Sequence, residues 1–192
     1  MIATGSTVVG ALIGAVWAWI APPVHAVVAL TRSGEHVQAY LGNETENFFI
    51  APLLLLALLT LAAVVAATQA WEWRAHRGPG MVAALSVGLT AGSALAAVLG
   101  SVMVHRRYGT IDIGGAPVSP QHRVDYVVEA PSVFFGHSPL QIAASLCLPA
   151  VAAALVYGTF ATWTTRDDLG GYPPQPVNRG AAAGVGGPPH LR

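Results

Sequence analysis

The chain has 192 residues, of which 54% are hydrophobic and only 9% charged, and its formal net charge is zero. A soluble domain carries about 25% charged residues, so this composition excludes an ordinary soluble protein. A neutral chain also lacks the basic field that attracts nucleic acid, and we expect no nucleic-acid partner. The composition therefore predicts an integral membrane protein.

Four long runs of the chain contain no Asp, Glu, Lys or Arg. A bilayer core is about 30 Å thick and a helix rises about 1.5 Å per residue, so each run is long enough to cross it. We therefore predict an all-α transmembrane fold, a four-helix bundle, within residues 1–169. The predicted spans are residues 4–21, 48–71, 79–104 and 139–163.

The first predicted helix ends at Pro22-Pro23, because proline lacks an amide donor and clashes with the preceding turn. The Val24-His25-Ala26 sequence that follows resembles a signal-peptide cleavage site. No basic residue precedes it, however, and the apolar run is longer than the apolar core of a typical signal peptide. An uncleaved first span is therefore the favoured interpretation, with cleavage as the alternative.

Helix signals also mark the later part of the chain. Only residues 72–77 separate the second and third spans, which predicts a tight antiparallel helical hairpin. The fourth helix is predicted to open at Ser138-Pro139, an N-cap residue followed by proline at the first helical position. Residues 170–192 are rich in Gly, Pro and Ala without apolar periodicity, which predicts a disordered tail.

The two longer connections, residues 22–47 and 105–138, contain short β-prone runs. The first two runs flank the turn-like Ser33-Gly34, which predicts a hairpin. Both connections lie on the same side of a four-helix topology, so we predict that they form a small β-rich extracytoplasmic cap. The runs are residues 26–30, 37–41, 108–113 and 123–128.

The distribution of arginines predicts the orientation. The loop between the second and third helices and the segment after the fourth carry slightly more arginines than the cap side, which favours a plasma-membrane protein with both termini in the cytoplasm. The two groups are Arg74, Arg77, Arg166, Arg179 and Arg192 on the first side and Arg32, Arg106, Arg107 and Arg123 on the other.

Small residues recur every four positions on the third predicted helix, with shorter repeats on the first and fourth. A face without bulk lets another helix approach closely, which favours helix association in lipid. Packing within the bundle is the favoured interpretation, and docking against a partner's helices or a second copy is the alternative. The residues are Gly80, Ala84, Gly88, Gly92, Ala96 and Gly100 on the third helix, Gly10 and Gly14 on the first, and Ala150, Ala154 and Gly158 on the fourth.

Few polar residues lie within the spans. No ionisable residue lies deep in any of them, which argues against a proton-coupled carrier. Hydroxyl and amide side chains would line a polar path in a transporter, but more often they bond back to the helix or to a neighbouring one. These residues are Thr60, Gln69, Ser86, Thr90, Ser93, Gln141, Ser145 and Thr159.

Histidines and carboxylates gather in the predicted cap. Such groups bind zinc or act as general acid and base. Their spacing matches no metal or nucleophile motif, so solvated loop residues are the favoured interpretation, and we expect no metal or cofactor. The cluster comprises His105, Asp112, His122, Asp125, Glu129 and His137.

Several strings resemble a family of small four-helix membrane proteins from mycobacteria and related actinobacteria, catalogued as a domain of unknown function. The resemblance covers residues 8–174. It implies the four-helix fold and a plasma-membrane location, and it brings no catalytic or binding residue with it. The strings are residues 77–82, 108–112, 116–120, 129–131, 134–142 and 166–174.

These features predict a non-enzymatic accessory or scaffold subunit of an envelope complex. Its expected partners are membrane lipid and either another membrane protein or a second copy. The alternative is a component of a small-solute or lipid transporter, which requires a continuous polar or hollow path between the helices. A third hypothesis, a membrane enzyme, requires Asp112, His122, Asp125 and Glu129 to converge on one pocket.

Overall fold

The computed structural model describes residues 2–119 and 121–164, and this part of the chain contains four α-helices and one small sheet. The predicted helix positions agree with the structure to within a few residues. The predicted tail and the last three arginines, Arg166, Arg179 and Arg192, lie outside the described residues. The helices are α1 (Ile2–Ile20), α2 (Asn47–Glu72), α3 (Pro79–Tyr108) and α4 (Pro139–Trp163).

By length and composition, α2, α3 and α4 are long and apolar enough to cross a membrane. The first predicted span, α1, is also apolar but shorter, with 19 residues. The predicted start of α4 is confirmed, because Ser138 caps the helix. Its hydroxyl accepts a hydrogen bond from the Gln141 amide at 3.3 Å, and the Gln141 side chain accepts one from the Ser138 amide.

The packing of the helices differs from the predicted hairpin of the second and third spans. α1 packs most extensively on α3, and α4 packs on both α2 and α3. In contrast, α2 and α3 contact each other at few positions, so the prediction that they form a tight hairpin is wrong. The reason lies in their surfaces: the small-residue face of α3 accepts α1, while Ala63 and Ala67 of α2 pack against Ala150 and Ala153 of α4.

The sheet joins the two long connections. It contains β1 (Val24–Leu30), β2 (His36–Tyr40) and β3 (Val124–Glu129), with β1 in the centre and antiparallel to both neighbours. The hairpin and the pairing of the two connections are therefore confirmed. The strand predicted at residues 108–113 is wrong, because α3 continues to Tyr108 and no strand follows it there.

The buried core is thickest at the sheet end of the bundle. Trp17 is fully buried, and its indole Nε1–H donates to the Ala51 carbonyl at 2.7 Å. Leu55, Ala96 and Val104 pack in the same cluster. At the opposite end, a smaller cluster surrounds Tyr157, so the bundle is held at both ends but filled more completely near the sheet.

Candidate functional site

A groove of about 630 Å³ lies between α1, α2 and α3, in the half of the bundle that is distant from the sheet. It exists because α1 and α2 make few contacts with each other while both lean on other helices. Its volume falls within the usual range of about 300–1,000 Å³ for small-molecule sites. The lining includes Gly5, Val9 and Ile13 of α1, Leu58, Ala62, Val65 and Trp73 of α2, and Leu85 and Leu89 of α3.

The groove ends inside the bundle. Its innermost lining residues include Ile13 of α1 and Leu58 of α2. One turn further along α1, the buried Trp17 ring and its hydrogen bond to Ala51 fill the space between the helices. The groove therefore occupies one half of the bundle, and the hollow is not continuous from end to end.

Polar groups in the groove are few. Ser6 and Gln69 line it towards the end that is distant from the sheet, and Ser93 lines it at the inner end. The Ser93 hydroxyl is covered and has no hydrogen-bond partner. Two other polar residues predicted for a pathway bond back to their own helix: Ser145 donates to the Gln141 carbonyl and Thr159 to the Leu155 carbonyl. The groove surface is thus largely apolar.

Glycines allow α1 and α3 to lie backbone against backbone beside the groove. A Cβ atom added to Gly10 would overlap the Gly92 backbone, and one on Gly14 would lie 2.5 Å from the Ala96 carbonyl oxygen. On Gly100 it would lie 2.7 Å from the Trp17 ring. Five of the predicted small residues are therefore brought together at this contact.

The remaining predicted small residues have different surroundings. Gly88 is buried on α3 and Ala150 is buried between α2 and α4. Ala84 and Ala154 are half-buried. A Cβ atom on Gly80 or Gly158 would meet nothing within 4 Å, so neither glycine is needed for a close approach.

The cap residues are not gathered in one place. No group of three or more His, Cys, Asp or Glu side chains in the described part of the chain could hold a metal ion. Asp125 and Glu129 share one face of β3 but are separated by four positions, about 13 Å along a strand. His122 and His137 are exposed, and Asp112 accepts a hydrogen bond from the backbone amide of its own turn.

The last member of the cap cluster, His105, lies near the end of α3. Its ring Nδ1 is 2.7 Å from the Ser101 carbonyl oxygen, one helical turn earlier. This local bond engages the nitrogen within its own helix. The convergence that the enzyme hypothesis requires is therefore absent between Asp125 and Glu129, and the geometry does not favour that hypothesis.

Two contacts in the cap were not predicted from the sequence. Tyr40 of β2 lies near Glu129 of β3, and burial, followed by the charge of Glu129, raises the pKa of the Tyr40 hydroxyl above its ordinary value. His25 at the start of β1 lies 3.2 Å from Glu44, whose carboxylate also accepts a bond from Asn47 at the start of α2. The second contact attaches the sheet to the start of α2, whereas the first lies within the sheet.

The family model described as "Protein of unknown function (DUF2567)" matches residues 6–171. The chain belongs to the DUF2567 family. It is 56% identical over 170 residues to an uncharacterised protein of Mycobacterium tuberculosis, with 88% of each chain covered. It is 55% identical over 162 residues to an uncharacterised protein of Mycobacterium leprae, covering 84% of this chain and 82% of the relative. No solved structure matches significantly. The predicted family resemblance is confirmed.

The groove of this DUF2567 protein was missed by sequence reasoning. Its walls consist mostly of Leu, Val, Ala and Gly, which are the same residue types that fill the helix contacts elsewhere in the bundle. A weak signal was present in the small residues Gly5, Ala62 and Ala66, which leave space on facing walls. That space becomes a groove only because α1 leans on α3 and away from α2.

Proposed function

We propose that this DUF2567 protein is a multi-pass integral membrane protein of the plasma membrane, in which all four helices span the bilayer. The observation that carries the proposal is the apolar character of the outward helix faces. Leu12, Leu61, Val87 and Leu155 are each more than 60% exposed. In water such a surface would promote aggregation, whereas in a bilayer it contacts hydrocarbon.

Exposed aromatic side chains at both ends of the bundle support this embedding. Trp19, Phe49 and Phe135 lie at the sheet end, and Trp73 and Trp163 lie at the opposite end. Along α2, the distance from Phe49 to Trp73 is about 36 Å at 1.5 Å per residue. Aromatic rings favour the interfaces on either side of the roughly 30 Å hydrocarbon core, so this spacing fits a membrane protein.

We further propose a cytoplasmic location for both termini and an extracytoplasmic location for the sheet, tested by cysteine labelling. The native Cys147 is replaced by Ser, and a cysteine is introduced by Ser33→Cys in the hairpin or, as the matched control, by Ala75→Cys between α2 and α3. Both positions are exposed. A membrane-impermeant maleimide should label only the first in intact cells. Labelling of only the Ala75→Cys variant would show the opposite orientation. Release of the protein by alkaline carbonate would refute the membrane embedding.

Within the membrane, the role supported best is that of a non-enzymatic accessory or scaffold subunit of an envelope complex. The support comes from the sheet, whose outer strands β2 and β3 each pair on one side in the described chain. Unpaired strand edges are ready to accept a partner's strand. Tyr126 on β3 is 73% exposed and marks this surface.

A photoreactive amino acid at Tyr126 tests the accessory role in native membranes. It should crosslink to another envelope protein, identified by mass spectrometry, while the same group at the lipid-facing Val87 should not. Recovery of the uncrosslinked monomer from both variants would refute the scaffold proposal. The second candidate, a lipid transporter component, is favoured by the groove alone. This function predicts that the reconstituted protein moves lipid between the leaflets of proteoliposomes. The groove is closed at its inner end by Trp17, which argues against a continuous path.

A further inference from the structure

We propose that the groove between α1 and α2 binds one acyl chain of an anionic phospholipid, with the lipid phosphate at the end that carries Trp73 and Arg74. This inference rests on the proposed membrane embedding and adds a binding site to the proposed scaffold role. Three properties of the groove support it: its length, its lateral opening and the position of its polar groups.

The length of the groove matches one leaflet. The lining residues of α2 run from Leu58 to Trp73, about 22 Å at 1.5 Å per residue. One leaflet including its headgroup region is about 20–22 Å thick, so a lipid with its phosphate at the Trp73 end would place the end of its acyl chain near the membrane centre. A helix of a second copy would have to cross the whole core, and the buried Trp17 blocks the groove before that point.

The groove opens sideways, towards the lipid. Val9 on α1 and Leu61 and Val65 on α2 line it and are also exposed on the outside of the bundle. Because α1 and α2 make few contacts, an acyl chain can enter between them without passing a polar barrier. An apolar space of this volume in a bilayer is filled by hydrocarbon in preference to water.

The polar groups lie where a lipid headgroup would be. Ser6 and Gln69 line the outer end of the groove, near the ends of their helices. Two exposed charged residues flank the lining residue Trp73, Glu72 before it and Arg74 after it, and Arg77 follows in the same connection. The two arginines outnumber the one carboxylate, so this end of the groove carries net positive charge. At the inner end, the Ser93 hydroxyl is covered and presents no polar surface. The groove is therefore polar at its outer end and apolar at its inner end, as expected for a site that binds an amphiphile with an anionic head and an apolar tail.

Photocrosslinking in vesicles tests the proposal. The full chain is reconstituted with phosphatidylglycerol or phosphatidylcholine that carries a diazirine at the middle of one acyl chain, and the labelled peptides are mapped by mass spectrometry. Phosphatidylglycerol should label the groove walls on α1 and α2 about fivefold more than phosphatidylcholine does, the preference expected for one arginine near an anionic lipid. Arg74→Gln should abolish this preference.

Two variants fill the groove from opposite walls. Ala62→Phe on α2 and Val9→Trp on α1 should each remove most of the groove labelling by both lipids. Ala91→Phe is the matched control, because Ala91 lies at the same depth on α3 but is exposed on an outward face. Folding is checked by circular dichroism, and if one filling variant does not fold, the other decides the result.

Three labelling results would overturn the inference. They are labelling spread evenly over outward residues such as Leu12 and Val87, unchanged labelling in the folded filling variants, and equal labelling by the two lipids in the unmodified chain. A crosslinked dimer through the groove would instead identify a second copy as its occupant and overturn the inference too. Carbonate extraction of the same membranes tests the membrane embedding separately. If the protein stays in the membrane but its groove is not labelled, only the lipid site is refuted.

Discussion

The contact between α1 and α3 depends on the absence of a side chain at Gly14. A methyl group there would lie 2.5 Å from the Ala96 carbonyl oxygen and 2.9 Å from its Cα atom. Ordinary carbon contacts are about 3.5–4.0 Å, so Gly14→Ala must move the helices apart by about 1 Å. Because the obstacle is backbone, no change of rotamer can relieve the overlap.

The expected magnitude follows from two opposing effects. Overpacking costs about 1–3 kcal/mol, while replacing a helical glycine by alanine gains at most about 1 kcal/mol. Because the overlap is with backbone atoms, the overpacking cost should lie near the upper end of its range, about 2–3 kcal/mol, and the net loss for Gly14→Ala should be about 1–2 kcal/mol. Gly158→Ala is the matched control, because a Cβ atom there meets nothing within 4 Å and only the favourable effect remains.

Unfolding by SDS in mixed micelles, followed by circular dichroism, measures both free energies. Gly14→Ala should unfold at a lower SDS fraction than the unmodified chain, and Gly158→Ala at an equal or higher one. If Gly14→Ala were as stable as the unmodified protein, α1 and α3 would not meet backbone to backbone. If both variants were destabilised equally, the loss would reflect lipid-dependent helix propensity and not the contact.

Three further changes probe the core and the cap. Trp17→Phe removes the buried hydrogen bond to Ala51 and leaves a small cavity, which should cost about 2 kcal/mol in the same unfolding assay. Ser93→Ala removes a buried hydroxyl that has no partner, so it should stabilise the fold by about 1 kcal/mol. The pKa of Tyr40 is raised above its ordinary value of 10.0 in the folded protein. The neutral hydroxyl therefore contributes its full stabilisation to the fold below about pH 10, and this stabilisation is lost as the pH rises through the raised pKa. Tyr40→Phe should reduce the loss of sheet stability above that pH, followed by circular dichroism.

Each of these has an outcome that contradicts it. Unchanged stability of Trp17→Phe would mean that the indole bond contributes nothing. A loss of 1 kcal/mol or more in Ser93→Ala would mean that the hydroxyl has a partner in the membrane. An identical alkaline transition with and without Tyr40 would show that other groups control it.

The helices and the start of the sheet could be predicted because they depend on local patterns. Charge-free runs, the break at Pro22-Pro23 and the Ser138 cap act on neighbouring residues, and the structure places α1 and α4 accordingly. The strand predicted at residues 108–113 failed for a tertiary reason. The last turn of α3 extends past the apolar run to Tyr108, where Arg107 reaches the Trp19 carbonyl at the end of α1.

The sequence by itself determined the four long apolar helices and the family, because composition, periodicity and residue strings are properties of the chain alone. The tertiary structure decided which helices are neighbours. Small residues on α3 permit a close approach by any helix, and only the assembled bundle shows that α1 makes it and that α2 packs mainly on α4. The groove follows from that choice, since it is the space between two helices that each pack elsewhere.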